Sequence, residues 1–182
     1  MRIVSGTYRG KKLITPTSDT VRPTSDRARE ALFSILYSKF GSMNGKSVLD
    51  IFAGTGALGF EALSRGAESV CFVDIDTSTV EKNARLFSSE KTKIKIIKSD
   101  TSKLTGIGGN FDFVFSDPPY DKGLNEIAFQ NEAIIKVLKD GAVCIIETRR
   151  SENPSLPQNF VLTDERIYGM AKIRIYIFHQ SV

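Results

Sequence analysis

The sequence predicts an α/β fold with a mostly parallel, seven-stranded sheet, helices on both faces, a C-terminal antiparallel hairpin and an N-terminal β-hairpin. Three observations predict it. From Ser47 onward, short apolar runs alternate with segments of helical period, as parallel strands joined by crossover helices require. The first of these strands feeds a glycine-rich loop that opens a helix. The last two apolar runs are joined at Gly169, a link too short for a crossover, so they pair as an antiparallel hairpin.

Residues 1–15 set Ile3-Val4 and Leu13-Ile14 around Gly6 and Gly10, the pattern of a β-hairpin. Pro16 to Pro23 is a polar loop, and Ser25 can cap a helix that runs through Phe40 with Ala28, Ala31, Leu32, Ile35 and Leu36 at helical spacing. The stretch from Gly41 to Gly45 breaks it. Ser47 to Ile51 reads as the first strand of the alternation, and Ala57 to Arg65 as a helix ended by Gly66. A second strand, Ser69 to Val73, precedes a helix from Thr77 to Ser88. Ile94 to Ile97 and Phe111 to Phe115 are the third and fourth strands, and a helix over Asn125 to Leu138 leads to a fifth, Ala142 to Ile146. Phe160 to Tyr168 and Lys172 to Phe178 form the closing pair. The expected division is a basic hairpin arm and loop over residues 1–23 and a single domain over 24–182.

A chain of 182 residues, 41% apolar and 25% charged, can bury a continuous core without a metal or disulfide. No apolar run approaches the ~20 residues of a membrane span. Met1 to Gly6 lacks the apolar segment of a signal peptide, so the expected location is the cytoplasm; a single compact domain makes a monomer the expected state. Cys71 and Cys144 fall in the second and fifth strands, which such a sheet does not place side by side, and read as core residues rather than a disulfide. Neither cysteine has zinc-ligand spacing and His179 has no ligand partner nearby, so no metal is assigned. The net charge of +4 is concentrated: Arg2, Arg9, Lys11, Lys12, Arg22, Arg27 and Arg29 crowd the first thirty positions against Asp19, Asp26 and Glu30. A basic arm of this kind suits phosphate contact.

Two loops carry chemistry. After Phe111 to Phe115 comes Ser116-Asp117-Pro118-Pro119-Tyr120. Proline has no backbone N–H, so the ladder stops there and leaves a rigid turn at the carboxyl end of a strand. The Asp117 carboxylate and the Pro118 carbonyl can each accept one hydrogen of an amine, and Tyr120 can stack on a flat base. Together they form a receptor for the exocyclic amine of a nucleobase. The second loop is Asp50-Ile51-Phe52-Ala53-Gly54-Thr55-Gly56-Ala57-Leu58-Gly59, with Asp74 ending the next strand where an acid can accept both hydroxyls of a ribose. Gly54, Gly56 and Gly59 match the dinucleotide fingerprint, so this loop alone leaves a dinucleotide and S-adenosylmethionine both open. Asp50, placed before the glycines, suits the cationic methionine end better than a pyrophosphate, and the Asp117 turn has no role in hydride transfer. Asp100 can accept from the adenine amine or simply start a turn.

On these residues the chain resembles the Rossmann-like class I methyltransferases, and within them the bacterial 16S rRNA (guanine-N2)-methyltransferases. The likeness rests on Asp50-x-Phe52-x-Gly54-x-Gly56, Asp117-Pro118-Pro119-Tyr120, Arg2-Ile3-Val4-Ser5-Gly6-x-x-Arg9-Gly10 and Arg22-Pro23-Thr24-x-Asp26-Arg27-x-Arg29-Glu30-x-Leu32-Phe33. The resemblance implies methyl transfer from S-adenosylmethionine, giving S-adenosylhomocysteine, to the N2 amine of guanine 966 in 16S rRNA within an assembling small ribosomal subunit. It implies catalysis at Asp117, Pro118, Pro119 and Tyr120, and cofactor contacts from Asp50, Phe52, Gly54, Thr55, Gly56, Asp74, Ile75, Asp100 and Thr101, with Thr24 and Arg27 beside the methionine end. Arg2, Arg9, Lys11, Lys12 and Arg22 would grip the RNA. A DNA adenine-N6 methyltransferase would use the same turn but usually needs a target-recognition region for which this chain leaves little room. A protein glutamine methyltransferase typically carries Asn where Asp117 stands. An NAD-dependent oxidoreductase would need a hydride-site group that is not visible, and a non-catalytic RNA-binding module would not need the turn.

Overall fold

Strand side chains in this protein alternate between two separate cores, one on each face of a single sheet. Val48, Val70, Phe72, Phe113, Phe115, Val143 and Ile145 point to one core; Leu49, Ile51, Cys71, Val73, Val114, Cys144 and Ile146 point to the other. Both sets are buried, which is why the strands read as continuous apolar runs. The fold is taken from a computed structural model that describes residues 1–16 and 26–180.

The helix α1 (Asp26–Phe40) is followed by β1 (Ser47–Ile51), α2 (Ala57–Ser64), β2 (Ser69–Asp74), α3 (Ser78–Ala84), β3 (Ile94–Lys98) and β4 (Phe111–Ser116). Then come α4 (Leu124–Gln130), α5 (Glu132–Ile135), β5 (Leu138–Arg149), β6 (Phe160–Tyr168) and β7 (Ala171–Phe178). The seven strands lie in the order β3-β2-β1-β4-β5-β7-β6. The first five positions are parallel, and β7 enters antiparallel between β5 and β6. Leu32 and Phe33 of α1, Phe60 of α2 and Val80 of α3 cover one face, while Ala128 and Phe129 of α4 and Ile134 of α5 cover the other. The chain order reverses between β1 and β4, so their carboxyl ends flank the switch point where an open α/β sheet takes its ligand.

Two expectations change. The helix from Thr77 to Ser88 ends at Ala84 and continues as a 3-10 segment, Arg85–Lys93, with non-helical backbone at Phe87. Phe87 is fully buried and stacks flat on Phe60 at 4.5 Å, and that packing outweighs helix continuation. The helix from Asn125 to Leu138 is two helices, because Asn131 is extended, caps α5 through its side chain and donates to the Thr101 and Leu104 carbonyls. The N-terminal hairpin forms: Arg2 bridges antiparallel to Lys12, Ile3 N–H donates to the Lys11 carbonyl, Gly10 N–H to the Ile3 carbonyl and Leu13 N–H to the Met1 carbonyl, while the Val4, Ser5, Thr7 and Tyr8 N–H groups go to α2. The expected helix cap Ser25 lies outside the described residues, while β5 extends beyond its expected Ala142 to Ile146 at both ends.

That arm is seated by a buried carboxylate. Glu61 is fully buried on α2 and accepts from the Val4 N–H (2.7 Å), the Ser5 N–H (3.0 Å) and Arg65 Nε (2.8 Å). Arg29, fully buried on α1, lies 3.8 Å from the same carboxylate and also reaches Asp26 and the Arg2 carbonyl. At Gly6 the backbone comes so close that a Cβ would stand 1.9 Å from the Ser64 carbonyl oxygen.

Candidate active site

β1 leads through Phe52, at φ 61°, into a loop held by backbone carbonyls and by one acid side chain. Gly54 N–H donates to Asp74 Oδ2 at 2.7 Å, tying the loop to the end of β2. The other Asp74 oxygen accepts from Asp76 N–H at 2.9 Å. Each carboxylate oxygen has two lone-pair sites, so both retain capacity for a hydroxyl donor. Gly56 adopts φ 75°, and a Cβ there would come within 2.6 Å of Phe60 and 2.8 Å of Val80. Asn83, fully buried on α3, donates to the Thr55 carbonyl and exchanges two bonds with Ile14, so one amide joins the loop to the N-terminal arm.

Asp50 sits beneath this loop, buried, with Oδ2 accepting from Gly59 N–H at 2.9 Å. Burial holds its carboxyl well above the usual carboxylate range, and the negative charges of Asp117 and Asp74 raise it further. Asp50, Asp74 and Asp117 therefore converge on one region. The register explains why: Ile51 is opposite both Val73 and Ser116, and Ser116 is opposite Ile146. One residue further along each strand stand Phe52, Asp74, Asp117 and Glu147, in a row along the carboxyl edge.

Asp100 caps a short 3-10 turn by accepting from the N–H and hydroxyl of Ser102, and these bonds hold its carboxyl below the usual range. Its Oδ1 is thus engaged in the turn role. Thr101 is buried and its carbonyl accepts from Asn131. Ile75 presents an apolar side chain that is 68% exposed, immediately beyond Asp74.

The catalytic candidates continue from β4. Pro118 is buried, Asp117 and Tyr120 are half-buried and Pro119 is exposed. Tyr120 Oη donates to Glu147 Oε1 at 2.7 Å, and Arg149 lies over the Tyr120 ring at 5.9 Å. Asn125, buried at the start of α4, accepts from the Ser116 hydroxyl at 2.7 Å and donates to the Glu147 carbonyl at 3.0 Å. Glu147 and Asn125 escape a motif reading, although an acid ending the apolar run Cys144-Ile145-Ile146 is a visible signal.

The basic residues are not all directed outward. Arg2 pairs with Asp26 at 3.2 Å, and Lys11 donates to the Leu86 carbonyl while lying over the rings of Tyr8 and Phe87. Arg9, Lys12 and Arg27 are exposed. Arg22 and Thr24 lie outside the described residues. Among the described residues no cluster of His, Cys, Asp and Glu could hold a metal ion, and no helix is long and apolar enough to cross a membrane.

A family described as conserved hypothetical protein 95 matches residues 1–177. The ribosomal RNA small subunit methyltransferase D of Haemophilus influenzae is 34% identical over 97% of this chain and 93% of its own length. The Escherichia coli protein of the same name is 34% identical, covering 97% of this chain and 89% of that one. The solved structure of "Putative methyltransferase yhhF" from Escherichia coli superposes with a TM-score of 0.81 at 32% identity, covering 98% of both chains.

Proposed function

The chain belongs to the conserved hypothetical protein 95 family, and from that membership we propose that it is an rRNA methyltransferase. Its fold is that of the class I methyltransferases. The finer reading is transfer of a methyl group from S-adenosylmethionine to the exocyclic N2 amine of a guanine in 16S rRNA, guanine 966 in the family it resembles. The substrate would be an assembling small subunit and the enzyme a monomer. The observation that supports this best is the row of Asp74, Asp117 and Glu147 along one sheet edge, beside a loop fixed by Asp74.

The residues present fit the cofactor. At Gly54 an added Cβ would meet only the Phe52 carbonyl, at 4.0 Å, so the loop has open space on that side. Asp74 would take the ribose hydroxyls, Ile75 would cover a face of the adenine, and Asp50 would face the cationic methionine end. When bound, S-adenosylmethionine supplies an electrophilic sulfonium methyl. The protein's own contribution lies at the acceptor. A guanine N2 lone pair is delocalised into the ring and is a weak nucleophile. Hydrogen bonds from its N–H groups to the Asp117 carboxylate and the Pro118 carbonyl turn that lone pair toward the methyl and stabilise the positive charge that develops on nitrogen. Tyr120 stacks on the base after it leaves its own stack. Alignment in a rigid proline-bounded turn supplies the rest through proximity.

The test is tritiated-methyl transfer onto unmodified 16S rRNA, assembling small subunits, DNA and protein, followed by mapping of the methylated nucleotide. Asp117→Ala should lower turnover by at least about 10²-fold while calorimetry shows cofactor affinity within about twofold of wild type. Label on DNA adenine or on protein overturns the substrate; full turnover in Asp117→Ala overturns the site.

A further inference from the structure

We infer that Glu147 is the positioning residue for Tyr120, fixing the ring in the orientation on which the acceptor base stacks. This rests on the reading that Tyr120 meets the base. Tyr120 lines a cavity of about 200 Å³ together with Pro118, Asn125, Glu147 and Glu152. A ring beside empty space is not held by packing alone. Its orientation depends on the bond from Oη to Glu147 Oε1, at 2.7 Å. Burial first, and this bond second, push the phenol above its ordinary pKa, so it stays a donor across the neutral range.

Glu147 can serve as a fixed post because its own backbone is pinned. Its carbonyl accepts from Asn125, whose oxygen accepts from Ser116 at the end of β4, so the strand carrying the turn and the strand carrying its brace are tied by one buried amide. Arg149 lies over one face of the Tyr120 ring, and it is held in turn by Asp121 at 3.1 Å. A stacking base therefore takes the opposite face. The far wall is equally rigid: buried Arg174 donates to Thr148 Oγ1, the Glu152 carbonyl and Asn153 Oδ1. Glu152 then accepts from the Asp121 and Arg149 N–H groups. Two of the groups held in this way touch the ring itself, Glu147 through the phenol and Arg149 over its face.

The experiment is a double-mutant cycle on methyl transfer, with Glu147→Ala, Glu147→Gln, Tyr120→Phe and the pair Glu147→Ala/Tyr120→Phe, each checked for an unchanged melting profile. Misplacing a catalytic group can cost up to about 10²-fold, and Glu147→Ala should lower kcat by roughly ten- to a hundredfold with cofactor affinity unchanged. Glu147→Gln keeps an acceptor oxygen and should stay within about threefold of wild type. In the Tyr120→Phe background Glu147→Ala should cost no more than about twofold further, since the bond is already gone. Spectrophotometric titration should show one phenol in Glu147→Ala moving back toward the ordinary tyrosine range. Wild-type turnover in Glu147→Ala, full additivity in the cycle, or a Glu147→Gln variant as impaired as Glu147→Ala overturns this role. Failure of the functional reading looks different: there, the wild-type protein itself methylates no guanine amine.

Discussion

At the carboxyl end of β1 the loop is shaped by backbone N–H groups donating to carboxylates, Gly54 to Asp74 and Gly59 to Asp50. At the carboxyl end of β4, one strand away, the turn is shaped by prolines and by side chains from β5 and α4. The two loops border one candidate site and differ in what each requires. The first needs absence of side chains at the glycines and an acid on each of β1 and β2, Asp50 and Asp74. The second needs specific hydroxyl, amide and carboxylate partners brought from elsewhere in the chain.

Substitutions can separate the two. The largest effect is expected at Gly56→Val, where a β-branched residue would have to adopt φ 75° and insert its Cβ 2.6 Å from Phe60. Left-handed backbone and overpacking together should cost about 3 kcal/mol or more, read by urea unfolding, with the Asp117 turn unaffected in its chemistry. Next comes a reciprocal pair. Asp74→Ala removes the acceptor of the Gly54 N–H and should weaken cofactor binding roughly ten- to a hundredfold at the cost of a charged hydrogen bond, measured by calorimetry. Asn125→Ala removes a buried partner of the Ser116 hydroxyl and of the Glu147 carbonyl and should lower stability by about 1–3 kcal/mol and kcat with it, leaving cofactor affinity unchanged. Equal effects of both variants on both readouts would dissolve the distinction between the loops.

The smallest effect is a slope. Because burial, then Asp117 and Asp74, raise the Asp50 carboxyl above its unfolded value, the folded chain binds a proton there that the unfolded chain has released. The stabilising contribution of that proton is complete below the ordinary carboxylate pKa and is lost as pH rises toward the raised value. Asp50→Asn keeps an oxygen for the Gly59 N–H and should remove a slope of at most about 1.4 kcal/mol per pH unit from cofactor-free unfolding. Retention of the slope would place its source elsewhere. The same variant should weaken binding of a cationic cofactor, most at pH values where Asp50 is ionised.

Both loops were visible in the sequence because each is a short local pattern: glycines after an apolar strand, prolines after another. The strand ladder was legible for the same reason, from Ser47 to Ile51 through to the Gly169 hairpin. The supports were not. Glu147 lies 27 residues from Tyr120 and Asn83 lies 69 from Ile14, and nothing local marks either pairing. Breaks inside helices were hidden too, since Phe87 and Asn131 leave helical geometry for partners distant in sequence. Glu61 carries a signal in hindsight of a physical kind: an acid within Ala57-Leu58-Gly59-Phe60-Glu61-Ala62-Leu63 is buried only if partnered.

The seating of the N-terminal arm also fixes an order of events during synthesis. Its residues leave the ribosome before the α2 and α3 groups that seat them, because the carboxylate of Glu61 follows Val4 by 57 residues and Asn83 follows Ile14 by 69. At 5–20 residues per second, that second interval lasts roughly 3–14 s. Throughout it the most basic stretch of the chain lacks those buried partners, beside the class of polyanion that the finished enzyme is proposed to modify.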